Sequence, residues 1–412
     1  MPDCFKPRPE ELQPLEVGPL APYLASFGTS LARQGYCHTN GWDKIRLVAD
    51  LSRWMDRRHF APKQLDEERL AAFLKARWKR VAVRSGDRAT MALVLRHLRQ
   101  SNVTPAASRP EPRNDIELIE RAYEDFLLNE RSLVPASVAQ YLPVTRRFLS
   151  HRFGSGKVWL KKLRASDVTD FVLHDSANRG RRSAQLMATV LRSFLGFLLQ
   201  QSRITTNLAA AVPTVAGGRL SELPRFLEVK QVERVLRSCD RRTQVGKRDY
   251  AILLLLARLG LRAGEVARLT LDDIDWHAGQ LLIRGKGSRV DRLPLPQDAG
   301  QALAIYLQKG RPDCLSRHIF IQKKAPHEPL AGPSSVCSLV RVALARAQIQ
   351  SHHQGAHLLR HSLATTMLRN GASIAQIGQV LRHQLPQTTE IYAKVDLNAL
   401  RALALPWPGG AA

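Results

Sequence analysis

Cysteine is scarce in this sequence, and its few copies lie far apart. The 412 residues include five cysteines, an odd number, and none of them forms a Cys-x-x-Cys pair: Cys4, Cys37, Cys239, Cys314 and Cys337. This distribution argues against a disulfide framework and against a cysteine-based zinc cluster. It fits a protein that works in a reducing cytoplasm.

Long apolar runs are also missing from the sequence. The longest one extends from Ala251 to Leu261 and contains Arg258, whereas a membrane-spanning helix needs about 20 apolar residues. The first residues, MPDCFKPRPEELQPLEVG, contain no apolar segment of the kind found in secretory signals. We therefore expect no membrane insertion and a cytoplasmic location.

Acidic residues are few compared with basic ones. The chain has 36 Asp and Glu against 62 Lys and Arg, which gives a formal net charge of +26. Because so large a charge repels itself in a compact protein, it predicts a polyanionic partner. The basic residues are spread along the chain rather than gathered in a tail, which favours nucleic acid over an anionic membrane. The share of hydrophobic residues, 44%, is that of a folded protein.

Two segments rich in helix breakers divide the chain. Residues 101–114 (SNVTPAASRPEPRN) contain three prolines, and residues 212–224 (VPTVAGGRLSELP) contain Pro213, Pro224 and two adjacent glycines. The length suits two or three domains. We therefore predict three blocks, at about 1–105, 112–212 and 222–412.

The first two blocks share a pattern of apolar residues at helical spacing. The marker positions are Leu47, Trp54, Leu65, Leu70, Phe73 and Leu74 in the first block and Tyr141, Phe148, Leu163, Val168, Phe171 and Val172 in the second. Helix-start signals recur in register, at residues 66–68 and 166–167. The first block is then a repeat of the second, although any two amphipathic helical bundles can share such spacing. In both cases the blocks are all-α and basic. Their charged faces could be ordinary solvated surface, but in a chain of this net charge a clamp on DNA is at least as good an interpretation.

The third block mixes helices with a hairpin. Two strands are predicted at Gln280–Arg284 and Val290–Leu295, around the glycine-rich tip Gly285-Lys286-Gly287-Ser288. Helices are predicted at Glu228–Ser238, Lys247–Leu259, Gln301–Leu307, Ser335–Ala347, His357–Asn370, Ile374–Leu381 and Thr388–Tyr392. A small hairpin among helices is an α+β pattern.

The third block also contains the groups that phosphodiester exchange requires. The reaction needs a nucleophile, proton-transfer groups and permanently charged donors for the phosphate oxygens. His357 and Arg360 stand three residues apart on one helix face, and His383 and Tyr392 follow them. Arg262 comes where a helix ends. Together these residues can perform the chemistry without a metal.

Two other interpretations of these residues are weaker. His352, His353, His357 and His361 could suggest a metal site, but no His-Glu-x-x-His motif or supporting cysteine accompanies them. Gly285-Lys286-Gly287 resembles a nucleotide-binding loop only superficially, because neither the first glycine nor the Ser or Thr of that motif stands at the right place. We expect no metal and no cofactor.

The combination resembles the tyrosine recombinase, or phage integrase, family. The family's first box is similar to LGLRAGEVARLTLDDID at residues 259–275, its hairpin lysine to GKGSRVDRLPL at 285–295, and its second box to HLLRHSLATTMLRNGASIAQIGQVLRHQLPQTTEIYAKV at 357–395. The opening LPRFL at 223–227 is also typical of where that domain begins. The fold that the resemblance implies is mainly α with a small β-sheet. It consists of two N-terminal helical, SAM-like DNA-binding domains and a C-terminal α+β catalytic domain.

The resemblance assigns roles residue by residue. Arg262 and Arg360 would bind the scissile phosphate, and Lys286 would protonate the departing 5′ oxygen. His357 would be the general acid/base and His383 a hydrogen-bond donor to the phosphate. Tyr392 would attack and form a 3′-phosphotyrosyl intermediate, while Glu265 would support the first arginine. Two departures stand out: Arg382 replaces the usual glycine before the second histidine, and Leu358 replaces a common acidic residue.

The implied function is site-specific recombination of double-stranded DNA through a Holliday junction. A homotetramer in the synapse, partner recombinases or a directionality factor, and a mobile-element origin come with the resemblance. An apolar tail beyond the tyrosine, with Leu397, Leu400, Leu403 and Leu405, would dock on a neighbouring protomer, or else cover its own domain. Two alternatives are a type IB topoisomerase that relaxes supercoils and a non-catalytic DNA-binding accessory protein.

Overall fold

The computed structural model describes residues 5, 8–106, 111–154, 156–177, 179–215, 225–285, 289–351 and 354–395. Lys286 and the tail leucines from 397 to 405 lie outside these residues. The contacts group the chain into two units, one made of residues 1–107 and 223–412 and the other of residues 108–222. The division into three blocks remains a prediction about modules of the sequence.

The first block of unit one is a helical bundle. Its helices are α1 (Pro9–Leu12), α2 (Ala21–Arg33), α3 (His38–Asp56), α4 (Glu67–Trp78) and α5 (Asp87–Gln100). Their apolar faces meet in a core that includes Leu24, Ile45 and Leu98, all fully buried. The bundle contacts the third block, where the backbone N–H of His327 donates to the carbonyl of Gln34 at 3.0 Å.

The second unit is also helical. It contains α6 (Asp115–Asp125), a π-helical turn (Phe126–Glu130), α7 (Pro135–Phe153), α8 (Ala165–Ser176) and α9 (Arg181–Gln200). Aromatic rings fill its centre, where Phe148 packs edge-on against Phe171 and Tyr123 against Phe194. Apolar spacing at helical period therefore produces one continuous core in this unit.

The first two blocks follow the same order of elements. The 19-residue helices α3 and α7 each lead to a three-residue 3-10 turn, Pro62–Gln64 or Leu160–Lys162, and then to a 12-residue helix. Asp66 caps α4 by accepting from the backbone N–H of Arg69 at 2.8 Å. This shared order supports the predicted repeat, which itself stays a prediction.

The third block surrounds a buried helix. Its helices are α10 (Val229–Arg237), α11 (Gln244–Leu259), α12 (Ala263–Arg268), α13 (Gln297–Lys309), α14 (Pro333–Arg346), α15 (Ala356–Arg369) and α16 (Ile374–Leu381). Most of the apolar run predicted to be too short for a membrane lies in α11, where Ile252 and Leu255 are fully buried. In the part of the chain that the structure describes, no helix is long and apolar enough to cross a membrane.

A three-stranded antiparallel sheet lies beside these helices. The strands β1 (Ile274–Asp275), β2 (Gln280–Arg284) and β3 (Val290–Pro294) pair in that order, with Leu282 opposite Arg292. The predicted hairpin is present, and the two-residue β1 adds a third strand. The prediction of a mainly α fold with a small β-sheet in the C-terminal block is confirmed.

The segment that leads to Tyr392 differs from the sequence prediction. In place of a helix over Thr388–Tyr392, the chain forms two 3-10 turns, Pro386–Thr388 and Glu390–Val395. Pro386 has no N–H to donate to a preceding helical turn. Within the second turn the N–H of Tyr392 donates to the carbonyl of Thr389 at 3.0 Å, an i to i−3 bond of the tighter helix.

Candidate active site

Arg360 is the buried centre of the site. It lies on α15 with 3% of its surface exposed, and its guanidinium donates to the carbonyls of Gly260 and Leu381. These carbonyls lie at the ends of α11 and α16, so one side chain connects three helices. Burial, together with the charges of Arg262 and Arg382, lowers the pKa of Arg360 to about 10. The guanidinium is therefore still positively charged at neutral pH.

Gly260 ends α11 in a backbone conformation that lets its carbonyl accept a hydrogen bond from Arg360. It lies in the left-handed region, with φ 57 and ψ 31. A Cβ at this position would lie 2.7 Å from Cδ2 of Leu381. A residue with a side chain would therefore be both strained and in collision with α16.

Glu265 holds Arg262 at the start of α12. The carboxylate of Glu265 accepts from the backbone N–H of Arg262 at 2.8 Å and from its Nη1, also at 2.8 Å. The side chain of Glu265 is 3% exposed whereas that of Arg262 is 41% exposed. The guanidinium of Arg262 is thus fixed on one side and open to solvent on the other, which suits contact with an anionic ligand.

Arg382 is a third guanidinium, which sequence reasoning did not assign to the site. Its Nη2 donates to Oε2 of Glu265 at 2.8 Å, and its side chain is 4% exposed. Burial would raise the pKa of Glu265, but the hydrogen bonds from Arg262 and the charges of both arginines lower it overall. The signal in the sequence was the departure itself, an arginine where the family usually has glycine.

Tyr392 lies inside the protein. It is 1% exposed, and its hydroxyl oxygen is 2.8 Å from Nδ1 of His361. The Tyr392 ring stacks on His383, with centroids 6.5 Å apart and planes 3° from parallel. Burial raises the pKa of Tyr392 to about 12, and the nearby charge of Arg360 opposes this rise.

His383 is a neutral imidazole at physiological pH. Burial comes first among the causes that lower its pKa to about 4, followed by the charges of Arg360 and Arg262. Its Nδ1 lies 2.8 Å from Oγ1 of the buried Thr389. This contact fixes the ring orientation and leaves Nε2 for another partner.

His357 and His361 lie one helical turn apart on α15. Their ring centroids are 6.2 Å apart, with His357 exposed and His361 partly buried. The centroid of the Tyr392 ring lies 5.6 Å from that of His361. His361, which the sequence analysis left without a catalytic role, therefore lies between the predicted acid/base and the predicted nucleophile. Its position directly after Arg360 was the available signal.

The structure thus brings together most of the residues that the resemblance selected. Arg262, Glu265, Arg360, His383 and Tyr392 are connected through contacts or electrostatic coupling, and His357 joins them through His361. Lys286 lies outside the described residues. At the base of the same hairpin the N–H of Gly285 donates to the carbonyl of Arg289 at 2.8 Å.

The arrangement is suited to a phosphate group. It combines fixed guanidiniums, which stabilise charge on phosphate oxygens, with a phenol that can attack and imidazoles that can move its proton. The carboxylate of Glu265 is fully engaged by two arginines. Within the described ranges no group of three or more His, Cys, Asp or Glu lies together in a way that could hold a metal ion.

This fold and site define a class, the tyrosine site-specific recombinases. The model of the phage integrase family matches residues 225–398. The protein y4rA of Sinorhizobium fredii, an integrase/recombinase by name, is 44% identical over 397 residues, which is 96% of this chain and 96% of that protein. The chain therefore belongs to the phage integrase family.

A further relative agrees with this assignment, and two solved structures share the fold. Tyrosine recombinase XerD of Mycobacterium tuberculosis is 30% identical over 306 residues, 70% of this chain and 96% of that protein. The XerH recombinase bound to palindromic difH matches with a TM-score of 0.56 at 19% identity, over 82% of this chain and 94% of that one. The Tn1549 transposon integrase in complex with circular intermediate DNA matches with a TM-score of 0.51 at 17% identity, over 69% and 98%. These two structures show the shared fold.

Proposed function

We propose that this protein cleaves and rejoins double-stranded DNA at specific sites through a covalent phosphotyrosyl intermediate. The observation that carries the proposal is the contact of the Tyr392 hydroxyl with His361, next to the buried guanidinium of Arg360. A phenol near a fixed cation and in contact with an imidazole provides the nucleophile, the stabilising charge and the proton acceptor that attack on a phosphodiester requires.

The chemistry balances without a cofactor. The Tyr392 oxygen bonds to phosphorus as the bond from phosphorus to the 5′ oxygen breaks, and the phenol proton passes to an imidazole. His361 is in hydrogen-bond contact with that oxygen, and His357 is its neighbour in the role of general acid/base. Lys286 gives a proton to the departing 5′ oxygen. Attack by a 5′ hydroxyl of another strand then restores the diester and frees Tyr392.

The charges of the site support the proposed division of roles. Arg360 holds its position through the carbonyls of two helix ends, and Arg262 extends from Glu265 toward solvent. Both would contact non-bridging phosphate oxygens, where negative charge develops. His383, which is neutral at physiological pH, would donate a hydrogen bond to the same phosphate.

The assembly on DNA is part of the proposal. The net charge of +26 and the helical, basic first and second blocks support a clamp around duplex DNA. XerH and the Tn1549 integrase were each solved with DNA, and we extend that partner to this chain. Four protomers, exchanging strands in pairs through a Holliday junction, would act in the cytoplasm on a mobile element, with other recombinases or a directionality factor as further partners.

A nicked suicide substrate tests the proposal. Under the proposed role on a mobile element, DNA from the junctions that flank the gene would carry the site, and cleavage next to a nick would trap the protein on the DNA. We expect a covalent adduct with the wild-type chain and none with Tyr392→Phe, which removes a single oxygen. Tyr250→Phe, a change at a partly buried tyrosine elsewhere in the same block, serves as the matched control and should form the adduct.

The same preparation separates the two alternatives. A type IB topoisomerase would relax a supercoiled plasmid that lacks the site, with no need for a second DNA partner. An accessory protein would bind DNA and form no adduct. Recombination between two sites, with no relaxation of the plasmid that lacks them, is the outcome that we expect.

A further inference from the structure

We propose that Arg382 is a positioning residue that holds Arg262 in place through the shared carboxylate of Glu265. The inference rests on the proposed function, because Arg262 is the group whose placement on the phosphate matters. It concerns a residue at which this chain departs from its family, so the family resemblance alone gives it no role.

The first support is the geometry of the bridge. Oε2 of Glu265 accepts from the backbone N–H of Arg262 and from Nη2 of Arg382, each at 2.8 Å, while Oε1 accepts from Nη1 of Arg262 at 2.8 Å. One carboxylate is therefore held by two arginines that lie more than a hundred residues apart in sequence. Since bidentate and charge-assisted bonds are strongly directional, fixing Glu265 also fixes the guanidinium of Arg262.

The second support is the backbone conformation of Arg382. The residue ends α16 at φ 55 and ψ 48, in the left-handed region that favours glycine. The next N–H, of His383, donates to the carbonyl of Gly378 at 2.9 Å and completes the helix end. A side chain at this position strains the backbone, and the ion pair with Glu265 offsets that strain.

The third support is a contact with the sheet. Nε of Arg382 lies 3.9 Å from Oδ2 of Asp291 on β3 and, within the described residues, makes no hydrogen bond. The guanidinium therefore lies between α12 and β3. It connects the first motif box, the second motif box and the hairpin.

Direct contact of Arg382 with DNA is the competing role, and the acidic partners of this side chain argue against it. Its Nη2 donates to Glu265 and its Nε lies 3.9 Å from Asp291, whereas Arg360 donates to neutral backbone carbonyls. The side chain of Arg382 is 4% exposed, whereas Arg262, on the same carboxylate, is 41% exposed. Of the two guanidiniums that bind Glu265, Arg262 is therefore the one open to a ligand, and Arg382 is the one paired with carboxylates inside the protein. Glu265 thus binds two guanidiniums with different roles: Arg262 contacts the ligand, and Arg382 supports Arg262.

The variants Arg382→Gly, Glu265→Gln and the double variant test the proposal. Glycine suits the left-handed backbone, so Arg382→Gly removes the side chain without adding strain. We expect DNA affinity within about twofold of wild type but single-turnover cleavage slower by about 10- to 100-fold, the range for a misplaced catalytic group. Because the first two changes break the same bridge, the double variant should be little slower than either single one.

The pKa of Glu265 provides a readout that simple loss of packing would not change. Arg262, Arg360 and Arg382 are the charged groups that act on or are coupled to Glu265. Removing Arg382 leaves the buried carboxylate with less positive charge, so the pKa of Glu265, which a carbon-13 NMR titration measures, should rise. Arg382→Lys, which keeps the charge but not the fork, should restore part of the cleavage rate.

Arg369→Ala is the matched control, because Arg369 pairs with Glu228 on the surface, 48% and 56% exposed, and its loss should leave cleavage unchanged. Wild-type rates in Arg382→Gly, or a slow rate with an unchanged pKa of Glu265, would overturn the inference. An absent adduct in wild type would overturn the proposed function instead. In that case the carbon-13 NMR titration of Glu265 decides the inference, since its pKa should be higher in Arg382→Gly than in wild type, and equal values reject it.

Discussion

The hydroxyl oxygen of Tyr392 lies 2.8 Å from Nδ1 of His361. The tyrosine is buried and its pKa is raised to about 12, so it is a weak nucleophile until a phosphate and a proton acceptor are both in place. His361 already contacts the oxygen whose proton must leave. In the proposed reaction, burial of Tyr392 would keep its reactivity low away from DNA.

Replacing His361 by alanine should slow cleavage by about 10²-fold or more, because the phenol loses its proton acceptor. Single-turnover reactions on the nicked substrate measure this rate. His277→Ala, at an exposed histidine between β1 and β2, is the control and should cleave normally. A normal rate in His361→Ala would show that another group accepts the proton.

The two motif arginines should differ in their effect on stability. Arg360→Ala leaves two carbonyls without their donor in a buried place, which costs about 1–3 kcal/mol each. Arg262→Ala removes a partly exposed side chain, and Glu265 keeps Arg382 as a partner, so the expected change is below about 1 kcal/mol. Both variants should lose cleavage by at least about 10²-fold. Urea unfolding and the adduct assay measure the two effects separately, and equal destabilisation would contradict this assignment.

The parts of the fold and of the candidate site that depend on residues close together in the sequence could be predicted from the sequence. The motif boxes predicted Arg262, Arg360, His383 and Tyr392 because each box is a local pattern of fixed spacing. The helix at Ile374–Leu381 and the strand at Gln280–Arg284 were also predicted with their observed ends. Their apolar periods and flanking breakers are local signals.

The features of the fold and site that the sequence did not predict depend on contacts between segments far apart in the chain or on elements too short to show a pattern. The bridge from Arg382 to Glu265 spans 117 residues, and no local pattern encodes it. β1 has two residues, too few to show an alternating period. The role of His361 depends on where the segment after Pro386 places Tyr392, and that segment forms 3-10 turns in place of the predicted helix.

Gly260→Ala tests the placement of Arg360 by backbone shape. The new Cβ would strain a left-handed residue and collide with Leu381 at 2.7 Å, so we expect a loss of about 3 kcal/mol in the free energy of unfolding, together with slower cleavage. Gly279→Ala has a similar φ of 61 but nothing within 4 Å of its Cβ. This control should cost only about 1–2 kcal/mol, from strain alone. Similar losses in both variants, measured in urea, would exclude a specific role for the close approach to α16.

His383 should make the stability of the protein depend on pH. Its pKa is lowered from 6.5 to about 4 in the folded state, mainly by burial. The stabilisation is therefore fully present above pH 6.5 and is lost as the pH falls toward 4, because the unfolded chain binds the proton first. A shift of this size corresponds to a few kcal/mol at most, of order 1.4 kcal/mol per pKa unit. Urea unfolding at several pH values should show the loss in wild type and a smaller one in His383→Gln; identical slopes would contradict the assignment.

Lys157 and Lys162 should contribute to DNA affinity and leave the chemistry unchanged. Their Nζ atoms lie 5.1 and 5.4 Å from the ring centroid of Trp159, which is 53% exposed, so the second unit presents an aromatic surface with two ammonium groups. If both contact phosphates, the double alanine variant should weaken binding and reduce the slope of log affinity against log salt by about 1.8, at roughly 0.9 per phosphate. Cleavage at saturating protein should equal that of wild type, since Tyr392 and its neighbours are unchanged.

Titrations at several salt concentrations measure the slope. An unchanged slope would mean that these lysines only cover the tryptophan, and slower cleavage at saturation would mean that they act on the catalytic step.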